Sequence, residues 1–466
     1  MLPIHRALRG AALFVGLVAA PALASAQALT ADAVAERAVR TSPDVRARDL
    51  DLGAAAAGVD QALVAFFPRL SVGASYTRLS DLGTFLLGNI VVAPGQPLGP
   101  VSPNAPLLNV PLSIPSLSNS TQLAATLVVP LSDYLLRLPQ AMTAAERTRD
   151  GARFTLDAAR RRAALEARLA FYQWVRARMQ SEVARSTLAQ TREHRDDAQR
   201  LQAAGALARV DVLRAETQVA NAELLVARAD ALREASEERV RTAMHLADAT
   251  PLGEVEEITE SGADPTLPAT LAAMVDEAVA QRPELRALAA QRDGFAAQAR
   301  ATRATYLPVL SATAQALYAD PNPRIFPPRD QFDGTWSLGV ALSYSPNDTA
   351  SGAAGARGLE ARAASVDAQA ASLRDALRTD LATAAGALRE SVAAAQSTAR
   401  GLESAEEAHR VRRELFRAGR ATTAELTDAE TDLLRARIER TNAVVDRRVA
   451  RARIEYLLGR ADDAAR

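Results

Sequence analysis

The chain of 466 residues contains no cysteine and no lysine, so all 55 of its Lys+Arg cations are arginine. Without cysteine there are no disulfides, thiolate zinc sites, iron–sulfur clusters or thiol nucleophiles. Nor is there a cysteine to carry the lipid of a bacterial lipoprotein, so no lipid anchor is expected. Without lysine there is no P-loop lysine, no Schiff base and no kinase-type lysine. Net charge is missing as well: 55 acids balance 55 bases, which removes any global electrostatic reason to bind nucleic acid. Aromatic residues make up only 4%, which argues against a chain built mostly of compact sheets. Of four histidines, His5 lies in the first segment, while His194, His245 and His409 stand apart without metal-ligand spacing. They read as solvated or packed. Acid pairs such as Asp196-Asp197, Glu237-Glu238 and Glu256-Glu257 read as solvent faces. Gly352, Gly355 and Gly358 have no lysine after them and suit a flexible strand-to-helix turn. There is no G-x-S-x-G motif. Nothing here points to an enzyme, a metal or a cofactor.

Residues 1–26 read as a signal peptide. His5, Arg6 and Arg9 precede the apolar run Ala11–Leu23, and Ala24-Ser25-Ala26 supplies the small residues that a signal peptidase needs before Gln27. The run is shorter than the roughly 20 residues that span a bilayer. No later segment offers 18 consecutive uncharged apolar residues, so any membrane crossing is expected to be made by strands.

The remainder repeats itself. Ala33–Val39 followed by Ser42-Pro43-Asp44-Val45 matches Ala273–Val279 followed by Arg282-Pro283-Glu284-Leu285, 240 residues later. Phe67-Pro68-Arg69-Leu70-Ser71 and Leu307-Pro308-Val309-Leu310-Ser311 keep the same 240-residue offset. Further on, Ala204-Gly205 with Asp211-Val212 and Ala215-Glu216-Thr217 matches Ala418-Gly419 with Glu425-Leu426 and Ala429-Glu430-Thr431, at an offset of 214. The shortfall falls in one place, where Gly83–Ser120 is long and its counterpart Asp320–Gly334 is short. Duplication of one unit is implied, with a first repeat over 27–262 and a second over 263–466.

Each repeat reads as helix, strand pair, helix, helix. Pro43 and Pro283 suit the first helical position, and Ser42 suits an N-cap. Pro68 and Pro308 then push the preceding residue towards extended geometry. Alternation follows, with strands expected at about 69–79, 121–130, 309–318 and 335–345. In the last, Trp336, Leu338, Val340, Leu342 and Tyr344 oppose Ser337, Gly339, Ala341 and Ser343. Apolar residues on one face and small or polar ones on the other suit a barrel in lipid with a wet interior. Trp336 and Tyr344, with Tyr76 and Tyr318, would be interfacial aromatics. Gly83–Ser120 would be a variable extracellular loop.

From about Leu138 to Gln202 runs an alanine-rich helical pattern whose one proline, Pro139, lies at its very start, roughly 65 residues or 95 Å long. Gly205 breaks it and a helix returns to Leu246. The second repeat does the same from about Ala361 to Phe416, across Gly419, and back to Leu458. Four strands cannot close a barrel, and an open edge cannot face lipid. Eight strands are about the practical minimum. Three copies would supply twelve strands.

These features resemble the TolC family of outer-membrane efflux proteins. The residues that carry the likeness are the duplicated unit, the (S/R)-P-(D/E) and (F/L)-P-x-L-S landmarks, and the two glycine tips followed by (D/E)-(V/L). The resemblance implies a mainly α protein with a transmembrane β-barrel portion. A homotrimer would form a 12-stranded barrel in outer-membrane lipid, continuous with a long periplasmic α-helical barrel. It implies a passive exit duct for efflux or type I secretion, serving an inner-membrane RND or ABC transporter through a periplasmic adaptor (membrane fusion) protein. Gly205, Gly419 and Arg420 would then lie at the hairpin tips that meet the adaptor. Glu425 and Asp428, six and nine residues after the second tip, would ring the closed end. Asp211 and Phe416 complete that gate. Ala421 stands where the family has an arginine two residues after the tip, so the latch between tips would be shifted to Arg420 or Arg417, or missing. The rival reading is a soluble periplasmic coiled-coil adaptor or scaffold with a small water-soluble sheet.

Overall fold

The computed structural model describes residues 29–80, 83, 85–92, 94, 104, 106–114, 118–247, 252 and 265–460. The expected signal peptide, residues 1–26, lies outside them. Helix α1 (Ala31–Thr41) is capped by Thr30, whose Oγ1 accepts from the Ala33 N–H at 3.1 Å. Its counterpart α6 (Leu271–Gln281) is capped in the same way by Thr270, which accepts from the Ala273 N–H at 3.2 Å. Helices α2 (Pro43–Val64) and α7 (Pro283–Arg303) each begin on their proline. The missing N–H costs nothing at that position because no helical carbonyl precedes it.

Strands β1 (Arg69–Arg78), β4 (Asn119–Val129), β5 (Val309–Asp320) and β6 (Asp333–Ser343) form one antiparallel sheet in the order β1-β4-β5-β6. Register fixes which side chains share a face. Val72 lies opposite Ala125, Ala125 opposite Ala316, and Ala316 opposite Trp336. By the period of two, Leu70, Leu127, Ala314 and Leu338 share that face. The opposite face carries Ser71, Thr126, Thr313, Gly339 and Ser343. Between β1 and β4, the segment expected as a variable extracellular loop contains a hairpin: β2 (Phe85–Val92) pairs antiparallel with β3 (Leu108–Ile114). Its runs of Val, Ile and Leu supply the β-propensity that its prolines and glycines obscure in the sequence.

The helices dominate. After the short α3 (Leu131–Leu135), α4 (Arg137–Ala203) spans 67 residues and α8 (Pro346–Arg417) spans 72. At 1.5 Å per residue these are about 100 and 110 Å long. The antiparallel α5 (Arg209–Ala243) and α9 (Thr423–Leu458) return alongside them. Helix α8 starts fifteen residues before the expected Ala361, because Ser345 caps it by accepting from the Asp348 N–H and Pro346 takes the first position. Gly352, Gly355 and Gly358 therefore lie inside a helix, not in a flexible turn. At Gly352 the reason is packing: a Cβ there would sit 2.3 Å from Thr305 Oγ1.

Two matching clusters anchor the middle of the helical part. Val34 and Ala38 of α1 pack on Phe171, Trp174 and Val175 of α4 and on Val240 of α5. Met274 and Ala278 of α6 pack likewise on Leu381 and Leu388 of α8 and on Ile454 and Leu458 of α9. No described helix is long and apolar enough to cross a membrane.

Candidate functional site: the hairpin tips and the exposed sheet face

Both tips are built by the same backbone device. Helix α4 ends with the Gly205 N–H donating to the Gln202 carbonyl at 2.9 Å and the Ala206 N–H to the Leu201 carbonyl at 2.9 Å. Helix α8 ends with the Gly419 N–H donating to the Phe416 carbonyl at 2.9 Å and the Arg420 N–H to the Leu415 carbonyl at 2.8 Å. These are Schellman motifs, and they place Gly205 at φ +75 and Gly419 at φ +66, which only glycine adopts without strain.

Beneath the tips lies a small core of Ala198, Val212, Ala215, Phe416 and Leu426, with Ala421 packed against it. Phe416 is 1% exposed and its ring meets the edge of His194 at 5.0 Å between centroids. It is a core residue joining the two hairpins and does not face open space.

Glu425 is not a free carboxylate. Its Oε2 accepts from the Thr422 N–H at 2.9 Å, while its own N–H donates to Thr422 Oγ1 at 3.2 Å, the reciprocal pair of a capping box. Its Oε1 accepts from Arg412 at 3.0 Å. The Thr422 N–H, helped by Arg412, holds the Glu425 carboxyl below the usual range. Asp428, one turn on, is exposed and makes no hydrogen bond or ion pair with the described residues. Asp211 is half-buried in the first turn of α5, 4.0 Å from Arg214. Arg420 is exposed.

Among the guanidinium groups that join the tips, that of Arg417 makes the shortest contacts to α4. Its Nε donates to Asp197 at 2.7 Å and it also pairs with Glu193, so α8 is clamped to α4 within one chain. Arg200 pairs with Asp197 from the same helix. Asp197 is thus buried, not part of the solvent face its acidic neighbour suggested. Thr422-x-x-Glu425 is a capping signature legible in the sequence. The Arg417–Asp197 and His194–Glu430 pairs join residues more than 200 apart, and no local pattern announces them.

At the other end, the apolar sheet face is bare. Trp336 is 80% exposed, and Leu338, Val340 and Leu342 are each close to 70% exposed. Tyr76, Tyr318 and Tyr344 are also exposed. Through the register Tyr76–Thr121–Asp320 and Tyr318–Gly334, the residues Tyr76, Tyr318 and Trp336 cluster at the end of the sheet away from the helices. Tyr344 follows β6 at the helical end.

A profile of outer membrane efflux proteins matches residues 34–244 and 274–460, most of the chain. The chain belongs to the outer membrane efflux protein family. Solved channels share the family fold. The outer-membrane channel OprN is 21% identical and superposes with a TM-score of 0.73, over 92% of this chain and 90% of that one. CusC is 15% identical with a TM-score of 0.75, over 92% of both chains. The open state of the Neisseria gonorrhoeae MtrE outer membrane channel is 17% identical with a TM-score of 0.71, over 92% of this chain and 88% of that one. No curated protein sequence matches the chain. Family and fold together describe a transport protein of the outer membrane, mostly helical with a β-barrel portion.

Proposed function

We propose that three copies of this chain form a passive exit duct in the outer membrane. In this reading a periplasmic adaptor and an inner-membrane transporter load it for efflux or secretion. The observation that carries the reading is the sheet. Its edges, β1 and β6, have no partner strand among the described residues, and its exposed face is leucine, valine, tryptophan and tyrosine. An edge of ten or eleven residues leaves a row of backbone donors and acceptors that lipid cannot satisfy. Pairing β6 of one copy with β1 of the next satisfies both edges, and three such joints close twelve strands. Tilted strands of this length give a band about 25 Å high, the thickness of the apolar belt of outer-membrane barrels. The small and polar opposite face, Ser71, Thr126, Thr313 and Ser343, would line the lumen. The helical hairpins would continue it as a tube of about 100 Å.

At the far end, the tips would form the closable mouth. Asp428 supplies an unpaired carboxylate there, while Glu425 acts through its capping box and Arg412. Gly205, Gly419 and Arg420 would present the surface that an adaptor meets. The test is fractionation and mass measurement of the processed chain. It should partition with outer membranes, require detergent, and run as a trimer. A water-soluble monomer or dimer would instead favour a periplasmic scaffold.

A further inference from the structure

We propose that His409 makes the packing between the two hairpin tips acid-labile, so that mild acidification loosens the α8–α9 hairpin from α4. His409 of α8 is 7% exposed and faces a cavity of about 10 Å³, the size of one water, closed by α4 and α9. The same cavity is lined by His194, Glu193 and Asp197 of α4, Arg413 of α8 and Glu430 of α9. Each carboxylate in it is already engaged. His194 Nδ1 lies 3.2 Å from Glu430, Arg413 lies 3.5 Å from Glu193, and Arg417 and Arg200 hold Asp197. From α9, Arg437 also faces His409; it donates to Ser186 at 3.4 Å and Gln190 at 3.5 Å on α4, and the one carboxylate it reaches is the exposed Glu406, at 3.8 Å. Helix α5 contributes Val212 and Ala215 to the adjoining core, neither of them titratable. Among the described residues no group of three or more His, Asp or Glu is placed to hold a metal ion, so a proton is the cation this cluster is suited to take.

A proton added at His409 therefore finds no unengaged carboxylate and three cationic or ionisable neighbours, Arg413, Arg437 and His194. Burial pushes the His409 imidazole below its ordinary value, and those three push the same way against the opposing pull of Glu430. Once the hairpins part, the ring meets water and titrates near 6.5. The parted form then binds more protons than the packed form, so packing is fully favoured above that pH and weakens as pH falls through it. One unit below, at pH 5.5, the balance shifts towards the parted form by up to about tenfold.

The experiment is hydrogen exchange by mass spectrometry on the full-length protein in detergent at pH 7.5 and 5.5, corrected for intrinsic exchange. Peptides covering 190–201 and 409–426 should open several-fold to about tenfold more at pH 5.5, while peptides from 350–380 should not. His409→Gln should abolish the difference, as should His409→Phe, which suits a site two turns from Phe416 even if the amide is poorly accommodated. A wild type with no pH response at the tips overturns the proposal. So does a response that persists in either variant.

Discussion

Placing a charge on the bare face of β6 separates a lipid-facing sheet from a water-facing one. Leu338 sits near the middle of the strand, 74% exposed, with Ala314 opposite it on β5. In water, an arginine on so open a face touches little and changes stability by no more than about 0.5 kcal/mol. At the midplane of a bilayer the same substitution costs about 2–4 kcal/mol per chain. Three copies would multiply that to about 6–12 kcal/mol for the assembled barrel. Ala341 is the control: it belongs to the opposite face, paired with Ser311, where a wet lumen would tolerate Ala341→Arg. The assay is refolding from urea into vesicles, scored by protease protection and by the yield of detergent-resistant oligomer. Leu338→Arg should fail or fold at a small fraction of the wild-type yield, and Ala341→Arg should fold nearly normally. Equal yields for the two variants would refute a lipid-facing assignment, whatever the rest of the chain does.

The tips make two further predictions. Arg417→Gln removes the clamp to Asp197 and Glu193; with Asp197 largely buried and Glu193 exposed, the cost is about 1–2 kcal/mol. Hydrogen exchange in 190–201 should then rise about 5- to 30-fold, and unchanged exchange would show that the clamp adds nothing to the packing of α8 on α4. Thr422→Ala takes away the acceptor for the Glu425 N–H and should lower the stability of the first turn of α9 by about 1 kcal/mol, with Thr422→Ser restoring it. A fully wild-type alanine variant in local exchange would show that the capping box contributes nothing.

The coarse plan of the fold was legible because it rests on local rules. Proline at the first helical position, glycine after the last, and strict alternation in Trp336–Tyr344 each act within a few residues, and duplication printed every signal twice. What escaped was of two kinds. The β2–β3 hairpin is interrupted by Gly88 and Pro111, residues that argue against strands, yet its pairing is satisfied across a bulge between Leu86 and Gly88. The start of α8 was hidden for a similar reason, since Gly352, Gly355 and Gly358 look like breakers until Thr305 and Tyr306 are seen packed against that stretch. At the tips, sequence order located Gly205 and Gly419 but not the partners. The family resemblance implies a gate role for Glu425, while its capping box with Thr422 was there to be read in the sequence. That Arg417, rather than Arg420, reaches α4 depends on how two helices some 220 residues apart are juxtaposed.

The distribution of packing says where such a molecule can open. Long alanine- and arginine-rich helices form cheaply, because these residues lose little side-chain freedom on entering a helix, so the walls need few large side chains. Those present are concentrated in mid-length clusters around Phe171 and Trp174 in one repeat and Leu381 and Ile454 in the other. The tip core contains one aromatic, two leucine-sized or smaller aliphatics and two alanines. Around it pack the partly buried Leu201, Leu207 and Ala421, and ion pairs and a histidine–carboxylate contact add to its cohesion. Ion pairs that are partly solvated contribute little each and weaken with salt. Local opening should therefore start at the tips and stop at the mid-length clusters, whose loss would need several large buried side chains to be exposed at once. In the proposed duct, a mouth held by polar contacts over such a core would open to a binding partner, or to protons, without disturbing the walls.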